Sequence, residues 1–511
     1  MQSNQRKIGA VLSFATTAVN AVVGFLYVPL LLRYMGKNEY GLYQLMGSII
    51  ALLSVMDFGL SATVTRYYSK YKSLEDEDNM ENVLALSGLV YVLITIVLLI
   101  VGIGVYFNLG LLFKNSLTSD QLVSAKKIFI VFLIYLGITI PSKVFDSVIT
   151  SHEKFVFIRV LTLIQIVTQP VFVIAVMNKW PTALAMVIVQ TIFSMAVILV
   201  KAYYCFYKIS MKIKLHHFNK SLFTEMMQFS FFIFLGAILD QLFWQSNQIV
   251  LGMFINTAAV AVYGVATTIS NSYMSLSTAI TSVFLPRITS LVTHKVSDKE
   301  ISDLFIKIGR VQFLILACVL SGFIIYGRQF INVWAGAGFS NTYIVTLILI
   351  IPFTIDLIQN IGLTILQAKN KLAYRSVVFL IIAIINVIAS IPLTIYFGVI
   401  GCALAAGVSF FVGNAIIMNI YYYKVTHIDI KLFWKEMLTI AAPTLGCALI
   451  GVGLNYIIAG TSFTNLAIKC FLYLGIYIIA MWKFSMNSYE KDLINSILYK
   501  LNLLKLKKEG I

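Results

Sequence analysis

Long apolar segments fill this chain, and only short polar gaps separate them. Fourteen segments are long enough to cross a bilayer, because a helical crossing needs about 20 largely apolar residues at 1.5 Å rise per residue. They lie near 8–33, 39–68, 81–107, 125–150, 155–177, 181–204, 222–254, 257–290, 303–327, 341–367, 374–397, 399–423, 435–457 and 464–484. No gap has room for a folded soluble domain. The pattern predicts an all-α polytopic membrane protein with 14 transmembrane helices.

The basic residues lie mostly in every second gap or at the adjoining segment ends. The gaps on one side hold 29 lysines and arginines, counted with both termini, and the gaps on the other side hold 8. Short loops rich in these residues stay in the cytoplasm, so we expect both termini to be cytoplasmic.

Composition excludes several functional classes. With 59% hydrophobic and 12% charged residues, the chain does not read as a set of soluble domains. Its net charge of +17 follows the loop asymmetry, so anionic membrane lipids are the expected partner and nucleic acid is not. The five cysteines show no metal-ligand or disulfide spacing, and no phosphate-binding loop, zinc motif or nucleophile motif occurs. We therefore expect no cofactor, no metal and no enzymatic activity, but movement of a substrate across the membrane.

The chain resembles itself at a spacing near 220 residues. Tyr43–Arg66 matches Tyr263–Arg287, and Pro141 corresponds to Pro352 in a second match. Six helices per copy give both copies the same orientation, as in the parallel repeats of rocking transporters. We predict an N-terminal lobe at 1–220 (helices 1–6), a C-terminal lobe at 221–430 (helices 7–12) and extra helices 13–14 at 431–485.

The last segment, 486–511, is predicted to be a cytoplasmic amphipathic tail. Apolar residues recur there at helical spacing beside lysines, which is typical of a helix lying on a membrane surface. The apolar positions are Leu493, Ile494, Ile497, Leu498, Leu501 and Leu504.

Polar side chains inside the apolar segments mark candidate sites, because such groups normally face protein or a water-filled cavity. Asp57, Asp240 and Asp356 are candidate ion-coupling residues, since the charge state of a buried acid can favour one conformer. Lys143 and Asp146 have the i, i+3 spacing of a pair on one helix face. Amide candidates for substrate binding are Gln241, Gln245, Asn271 and Asn360. These positions predict a hydrated cleft between the lobes.

Arg33 ends segment 1 and Glu39 opens segment 2. An ion pair between them could act as a latch on an outward gate. An ordinary surface salt bridge, usually worth about 0–1 kcal/mol, is the alternative.

The chain resembles the multidrug/oligosaccharidyl-lipid/polysaccharide flippase superfamily, most closely its polysaccharide biosynthesis branch, which exports the repeat units of O-antigen or capsule. The resemblance rests on MDFGLSATVTRYYSKY at Met56–Tyr71, on Asp240–Ser270 with the FLPRITS ending of segment 8, on LQAKNK at Leu366–Lys371, and on YFGVIGCALAAG at Tyr396–Gly407. In the last motif, Gly398 and Gly401 are expected to form a tight turn between segments 11 and 12.

The resemblance implies a flippase in the bacterial cytoplasmic (inner) membrane that translocates undecaprenyl-pyrophosphate-linked oligosaccharide by alternating access. Coupling to H⁺ or Na⁺ is a separate hypothesis that follows from the membrane acids. Cationic residues are then expected to hold the pyrophosphate, and Arg66, Lys143 and Arg287 are the nearest candidates. Glycosyltransferases and a polymerase of the same pathway are possible protein partners.

Three alternatives stay open. A multidrug cation antiporter of the same superfamily would use the membrane acids. A lipid II flippase is ranked lower, because the interior of segment 1 holds no arginine or lysine. A membrane scaffold for polysaccharide assembly enzymes would tolerate neutralisation of the buried charges.

Overall fold

In the computed structural model, the described residues are 2–294, 296–369 and 371–496, and every regular element among them is helical. The α-helices are α1 Gln2–Ser54, α2 Leu60–Ser73, α3 Glu77–Leu112, α4 Ser119–Ser151, α5 Phe155–Met177, α6 Ala183–Tyr203, α7 Lys220–Phe254, α8 Thr257–Thr293, α9 Asp298–Trp334, α10 Ser340–Ile358, α11 Ile361–Ala368, α12 Leu372–Phe411, α13 Asn419–Val425, α14 Ile430–Ile457 and α15 Phe463–Phe484. Short turns complete them: 3₁₀ turns at Val55–Asp57 and Ala337–Phe339, and π turns at Tyr204–Lys208 and Val412–Met418.

Side-chain caps fix where several helices begin. At the start of α4, Thr118 and Gln121 form a reciprocal capping box. Asp76, Ser297 and Asp429 accept backbone N–H bonds at the starts of α3, α9 and α14. Each cap satisfies a backbone donor that the first helical turn leaves free.

Eleven helical stretches among the described residues are long and apolar enough to cross a membrane. Two of them, Ala15–Ser73 and Tyr374–Val425, run for 59 and 52 residues, far more than one crossing needs. Each is interrupted by a glycine at positive φ, Gly36 at 73° in α1 and Gly398 at 60° in α12. The turn predicted at Gly398 is confirmed. The all-helical polytopic class is confirmed as well, whereas the count of 14 and the placement of the termini stay predictions.

The chain forms two compact units, Met1–Val265 with Ala383–Ala406 and Ala266–Ile382 with Gly407–Ile511. In the first unit, α1 packs on α5 and α7, while α4 packs on α2, α3 and α6. In the second unit, α9 is the central helix and contacts α10, α14 and α15. The lobe boundaries given by the sequence repeat stay a prediction.

Helices α14 and α15, the predicted extra pair, are attached to α9 by an apolar cluster that also contains tyrosines. The buried tyrosines satisfy their hydroxyls on helix backbone or on a hydroxyl: Tyr477 donates to Leu314 O at 2.8 Å, Tyr326 donates to Gly451 O at 2.8 Å, and Tyr473 bonds Ser321. Burying an aromatic ring together with a satisfied hydroxyl gives a dry contact without an orphaned polar group.

A buried arginine joins α9, α14 and the segment after α15. Arg310 is 3% exposed, and every nitrogen of its guanidinium group donates a hydrogen bond. It binds Glu490 in bidentate fashion at 2.7 and 3.1 Å and Glu436 at 2.8 Å. Ser485 O, Thr439 Oγ1 and Glu436 O accept the remaining bonds. Such full pairing is what makes a buried charge tolerable.

Residues 488–496, at the beginning of the predicted tail, are helical, and the amphipathic tail on the membrane surface stays a prediction. Asn487 and Glu490 cap this helix reciprocally at 3.0 Å. Leu493 and Ile494 lie in this helix. Residues 497–511, which contain the other apolar positions and the lysines from Lys500 onward, lie outside the described residues.

We expect the Arg310→Met variant to lose about 3–5 kcal/mol of unfolding free energy, because Glu490 would be left buried without its cation. Denaturant unfolding of the purified protein in detergent micelles measures this loss. Arg328→Met is the matched control, since Arg328 lies on the same helix and is exposed. Equal stability of the two variants would contradict the structural role assigned to Arg310.

Candidate functional site

The helix that follows Gly36 is broken within predicted segment 2. Helix α1 ends at Ser54, a 3₁₀ turn covers Val55–Asp57, and α2 begins at Leu60. Phe58 and Gly59, between them, have left-handed backbone with φ of 53° and 66°. This conformation is unfavourable for phenylalanine, so the surrounding packing must hold it in place. Broken helices at membrane depth commonly line binding sites in transporters.

An ion pair lies at this break. Asp57 is the last residue of the 3₁₀ turn, and Lys143 on α4 donates from Nζ to its Oδ2 at 3.0 Å. The Asp57 side chain is only 12% exposed, whereas that of Lys143 is 35% exposed. Asp57 Oδ1 is buried and has no hydrogen-bond partner among the described residues. The pair therefore has a cation that a ligand can reach and a carboxylate with one oxygen unused.

The ion pair is the first of three contacts that join Asp57 and α2 to α4 with the same spacing. Ser147 donates from Oγ to Ser61 O at 2.8 Å. Ser151 Oγ lies 3.3 Å from Thr65 O and 2.8 Å from Ser147 O of its own helix, so its one proton is shared between the two carbonyls. All three contacts join residues 86 positions apart, and each lies four residues after the one before. Residues at i, i+4 and i+8 share one helix face, so this serine ladder fixes the register of α2 against α4.

The ladder ends at the turn after α4, where Tyr68 OH lies 3.3 Å from His152 Nε2. Burial, assisted by the nearby charges of Lys72 and Lys154, lowers the pKa of His152 to about 4. The imidazole is therefore neutral at physiological pH, and this end of the ladder carries no histidine charge.

Helix α7 also packs against the break. Phe58 stacks on Phe234 with ring centroids 4.4 Å apart. A Cβ at Gly59 would overlap the Ile233 side chain, so only glycine allows this approach. Thr63 Oγ1 lies 2.6 Å from Ser230 Oγ. The break is thus held between α4 and α7.

The second unit contains a similar break. Helix α10 ends at Ile358, and α11 begins at Ile361 after Gln359 and Asn360. Arg375 Nη2 lies 3.9 Å from Asp356 Oδ1, close enough for ion pairing but too far for a direct hydrogen bond. The Arg375 guanidinium also lies over the Phe379 ring, 4.3 Å from its centroid.

Side chains from α8 and α9 bind the carbonyls that this second break releases. Ser277 Oγ donates to Leu357 O at 2.8 Å. With its amide oriented to satisfy both ends, Gln312 donates to Leu357 O and Ile358 O at 3.1 and 3.2 Å. A carbonyl without a donor would be costly at membrane depth, so these contacts make the break tolerable.

A family described as "Polysaccharide biosynthesis protein" matches residues 8–292. The chain belongs to this family. No curated protein matches it.

Solved structures support the same fold at low sequence identity. The lipid II flippase MurJ in an inward closed conformation has a TM-score of 0.71 and 17% identity, over 95% of this chain and 99% of that one. An inward-facing multidrug resistance MATE family transporter of the MOP superfamily has a TM-score of 0.63 and 13% identity, over 82% and 96%. A eukaryotic MATE transporter gives 0.57 and 13%, over 85% and 99%.

The candidate acidic and basic residues of this polysaccharide biosynthesis protein lie in different surroundings. Asp57 and Lys143 are brought together, and Asp356 lies near Arg375. Arg66 is exposed on α2, with its guanidinium 4.4 Å from the centroid of the Phe229 ring. The side chains of Asp240 on α7 and Arg287 on α8 lie outside the described part of the structure.

The amide candidates are scattered. Gln241 and Gln245 are half-buried on α7, and Gln241 Oε1 has no partner among the described residues. Asn271 is exposed on α8, and Asn360 is half-buried at the second break. Their role in binding sugars stays a prediction.

Two expected pairings are not formed. Lys143 does not pair with Asp146, because Asp57 takes its Nζ, and Asp146 instead binds Lys201 on α6 at 2.7 Å. Glu39 Oε2 accepts the Ala183 backbone N–H at 2.8 Å and so caps α6. Within the described residues no ion pair links it to Arg33, which is exposed, so the gate role of this pair is only a prediction.

Sequence reasoning missed Lys201, Arg375 and the serine ladder. The ladder had a readable signal: Asp57, Ser61 and Thr65 repeat every four residues, and so do Lys143, Ser147 and Ser151. For Arg375 the only signal in the sequence was its position at the start of segment 11.

We expect Asp57→Asn and Lys143→Met to be non-additive in unfolding free energy, with a coupling of roughly 0.5–3 kcal/mol, because the two side chains bond directly. A double-mutant cycle from denaturant unfolding in detergent measures it. Asp57→Asn combined with Lys127→Met is the control, since Lys127 is exposed on the same helix as Lys143. Additivity in the first cycle would show that the ion pair contributes nothing.

Proposed function

We propose that the chain is a flippase that translocates undecaprenyl-pyrophosphate-linked oligosaccharide units across the bacterial cytoplasmic membrane by alternating access. The observation that carries the proposal is the Asp57–Lys143 pair at the helix break, in a chain that belongs to a polysaccharide biosynthesis family. A sugar–pyrophosphate headgroup cannot cross about 30 Å of hydrocarbon unaided, so its carrier must offer polar groups at membrane depth.

Lys143 is the residue that we assign to the pyrophosphate. Its ammonium is the partly exposed member of the pair and can exchange the single bond to Asp57 for bonds to phosphate oxygens. Arg66 lies further along the chain, nine residues from Asp57, and offers a second cation. Arg287 stays a candidate for pyrophosphate binding on the basis of the sequence alone.

Asp57 is the acid that we assign to ion coupling. When an anion takes Lys143, the Asp57 carboxylate loses its counter-charge in a buried position, which is costly. Uptake of H⁺ or Na⁺ at its unused oxygen would remove that cost and would link substrate binding to ion binding. Asp356 and Asp240 are the further candidates.

A lipid II flippase is the second candidate function. The structural similarity to MurJ over 95% of this chain favours it. The two substrates share the pyrophosphate and differ in their sugars. The Lys143 site therefore suits both, and the sugars decide which of the two is transported. A multidrug antiporter and a scaffold for assembly enzymes are the third and fourth candidate functions.

Reconstitution in liposomes tests the proposal. A fluorescent undecaprenyl-pyrophosphate oligosaccharide is placed in both leaflets, and an impermeant quencher reports how fast the protected pool reaches the outer leaflet. We expect protein-dependent transfer, and a loss of about ten- to hundredfold in Lys143→Gln, since a hydrogen bond to a charged group is worth about 1.5–3 kcal/mol.

Lys127→Gln is the matched control and should transfer at the wild-type rate. Parallel assays with lipid II and with ethidium separate the four candidate functions. Transfer of lipid II alone would assign the second candidate, uptake of ethidium alone would assign drug transport, and no transfer of any substrate would support the scaffold.

A further inference from the structure

An apolar cavity of about 270 Å³ lies beside the helix break in the first unit. It is lined by Phe58 and Leu60 from the break, by Val90 and Ile94 from α3, and by Met227 and Phe231 from α7. Its volume is below the roughly 300–1,000 Å³ of sites that enclose a whole drug-sized ligand. It has room for part of a chain, not for a headgroup.

The lining offers nothing polar to a ligand among the described residues. Ser230 is its one hydroxyl, and that oxygen lies 2.6 Å from Thr63 Oγ1, to which it is bonded. An occupant that brought a polar group into the cavity would leave it unsatisfied. The cavity therefore favours a hydrocarbon ligand over a polar one.

The cavity opens at the protein surface. Leu93 and Phe231 stand at its edge and are 64% and 52% exposed. Ser230 lies ten residues after Lys220, where α7 begins, and hence about 15 Å along that helix. The stretch Lys220–Ile238 is long and apolar enough to cross a membrane, so a hydrocarbon chain of the bilayer could reach the exposed edge of the cavity from the side.

The charged pair is one residue away from the cavity wall. Phe58 lines the cavity, and its predecessor Asp57 holds Lys143. The Cα atoms of consecutive residues are about 3.8 Å apart, so the first apolar units of an anionic lipid whose phosphate bound Lys143 would be within reach of Phe58. Bulk lipid is as apolar as the cavity, so an isolated chain gains little by entering it, and the nearby cation decides which lipid does so.

We propose that this cavity holds the first isoprenoid units of a polyprenyl pyrophosphate whose headgroup binds Lys143. The inference rests on the proposed function and adds a separate subsite to it. The occupant touches Phe58, the residue held in left-handed backbone at the break. Chain occupancy and the conformation of the break are thereby coupled.

Filling the cavity tests the inference. In Val90→Trp the indole fills the cavity, so an isoprenoid chain could enter only by overpacking it. We expect the purified variant in nanodiscs to bind polyprenyl pyrophosphate about fivefold or more weakly than the wild type. Binding of inorganic pyrophosphate should be unchanged. Val92→Trp is the matched control, since Val92 is on the same helix, 57% exposed and outside the lining. Thermal unfolding verifies that both variants are folded.

Each other outcome has a defined meaning. Unchanged polyprenyl pyrophosphate binding in Val90→Trp, or an equal loss in Val92→Trp, overturns the subsite. An equal loss for phosphatidylglycerol identifies a general acyl-chain groove and overturns the isoprenoid assignment. A Lys143→Gln variant that binds both pyrophosphate ligands like wild type contradicts the proposed function instead, and wild-type protein that binds neither contradicts both.

Discussion

A backbone polar group at membrane depth must have a partner, and this constraint governs where the chain can leave helical geometry. Water can satisfy a broken helix in a soluble protein, but hydrocarbon cannot. Both breaks are therefore surrounded by donors and acceptors from neighbouring helices. Ser277 and Gln312 supply the donors at the second break, and the serine ladder ties down the helix that follows the first. The polar side chains inside the apolar segments are explained by this demand as much as by ligand binding.

The two breaks use their charges differently. At the first, Lys143 makes a close bond of 3.0 Å to Asp57 and keeps about a third of its side chain exposed. At the second, Arg375 stays 3.9 Å from Asp356 and rests on an aromatic ring. A close bond between unequally exposed partners is ready for exchange with a ligand. A loose pair supported by a cation–π contact holds its arginine without depending on the acid.

The sequence predicted the fold class and the apolar segments but not which polar side chains pair with one another. Apolar length and the basic-residue asymmetry depend on local composition, so the helical segments and the turn at Gly398 could be read directly. Pairing depends on which helix faces meet. Lys143 has Asp146 three residues away on its own helix, yet it bonds Asp57, 86 positions distant, because α2 and α4 meet along that face. The break at Phe58 was also hidden, since MDFGL contains no proline and only one glycine.

The serine ladder has a mechanical consequence. Its contacts repeat every four residues, so α2 and α4 can slide past one another only by four residues, about 6 Å at 1.5 Å per residue, before hydroxyls face carbonyls again. Any smaller displacement would break all the hydroxyl–carbonyl contacts between the two helices at once. The ladder therefore favours joint movement of the two helices, and Phe58 and Gly59, in left-handed backbone, mark where α2 departs from the helix before it.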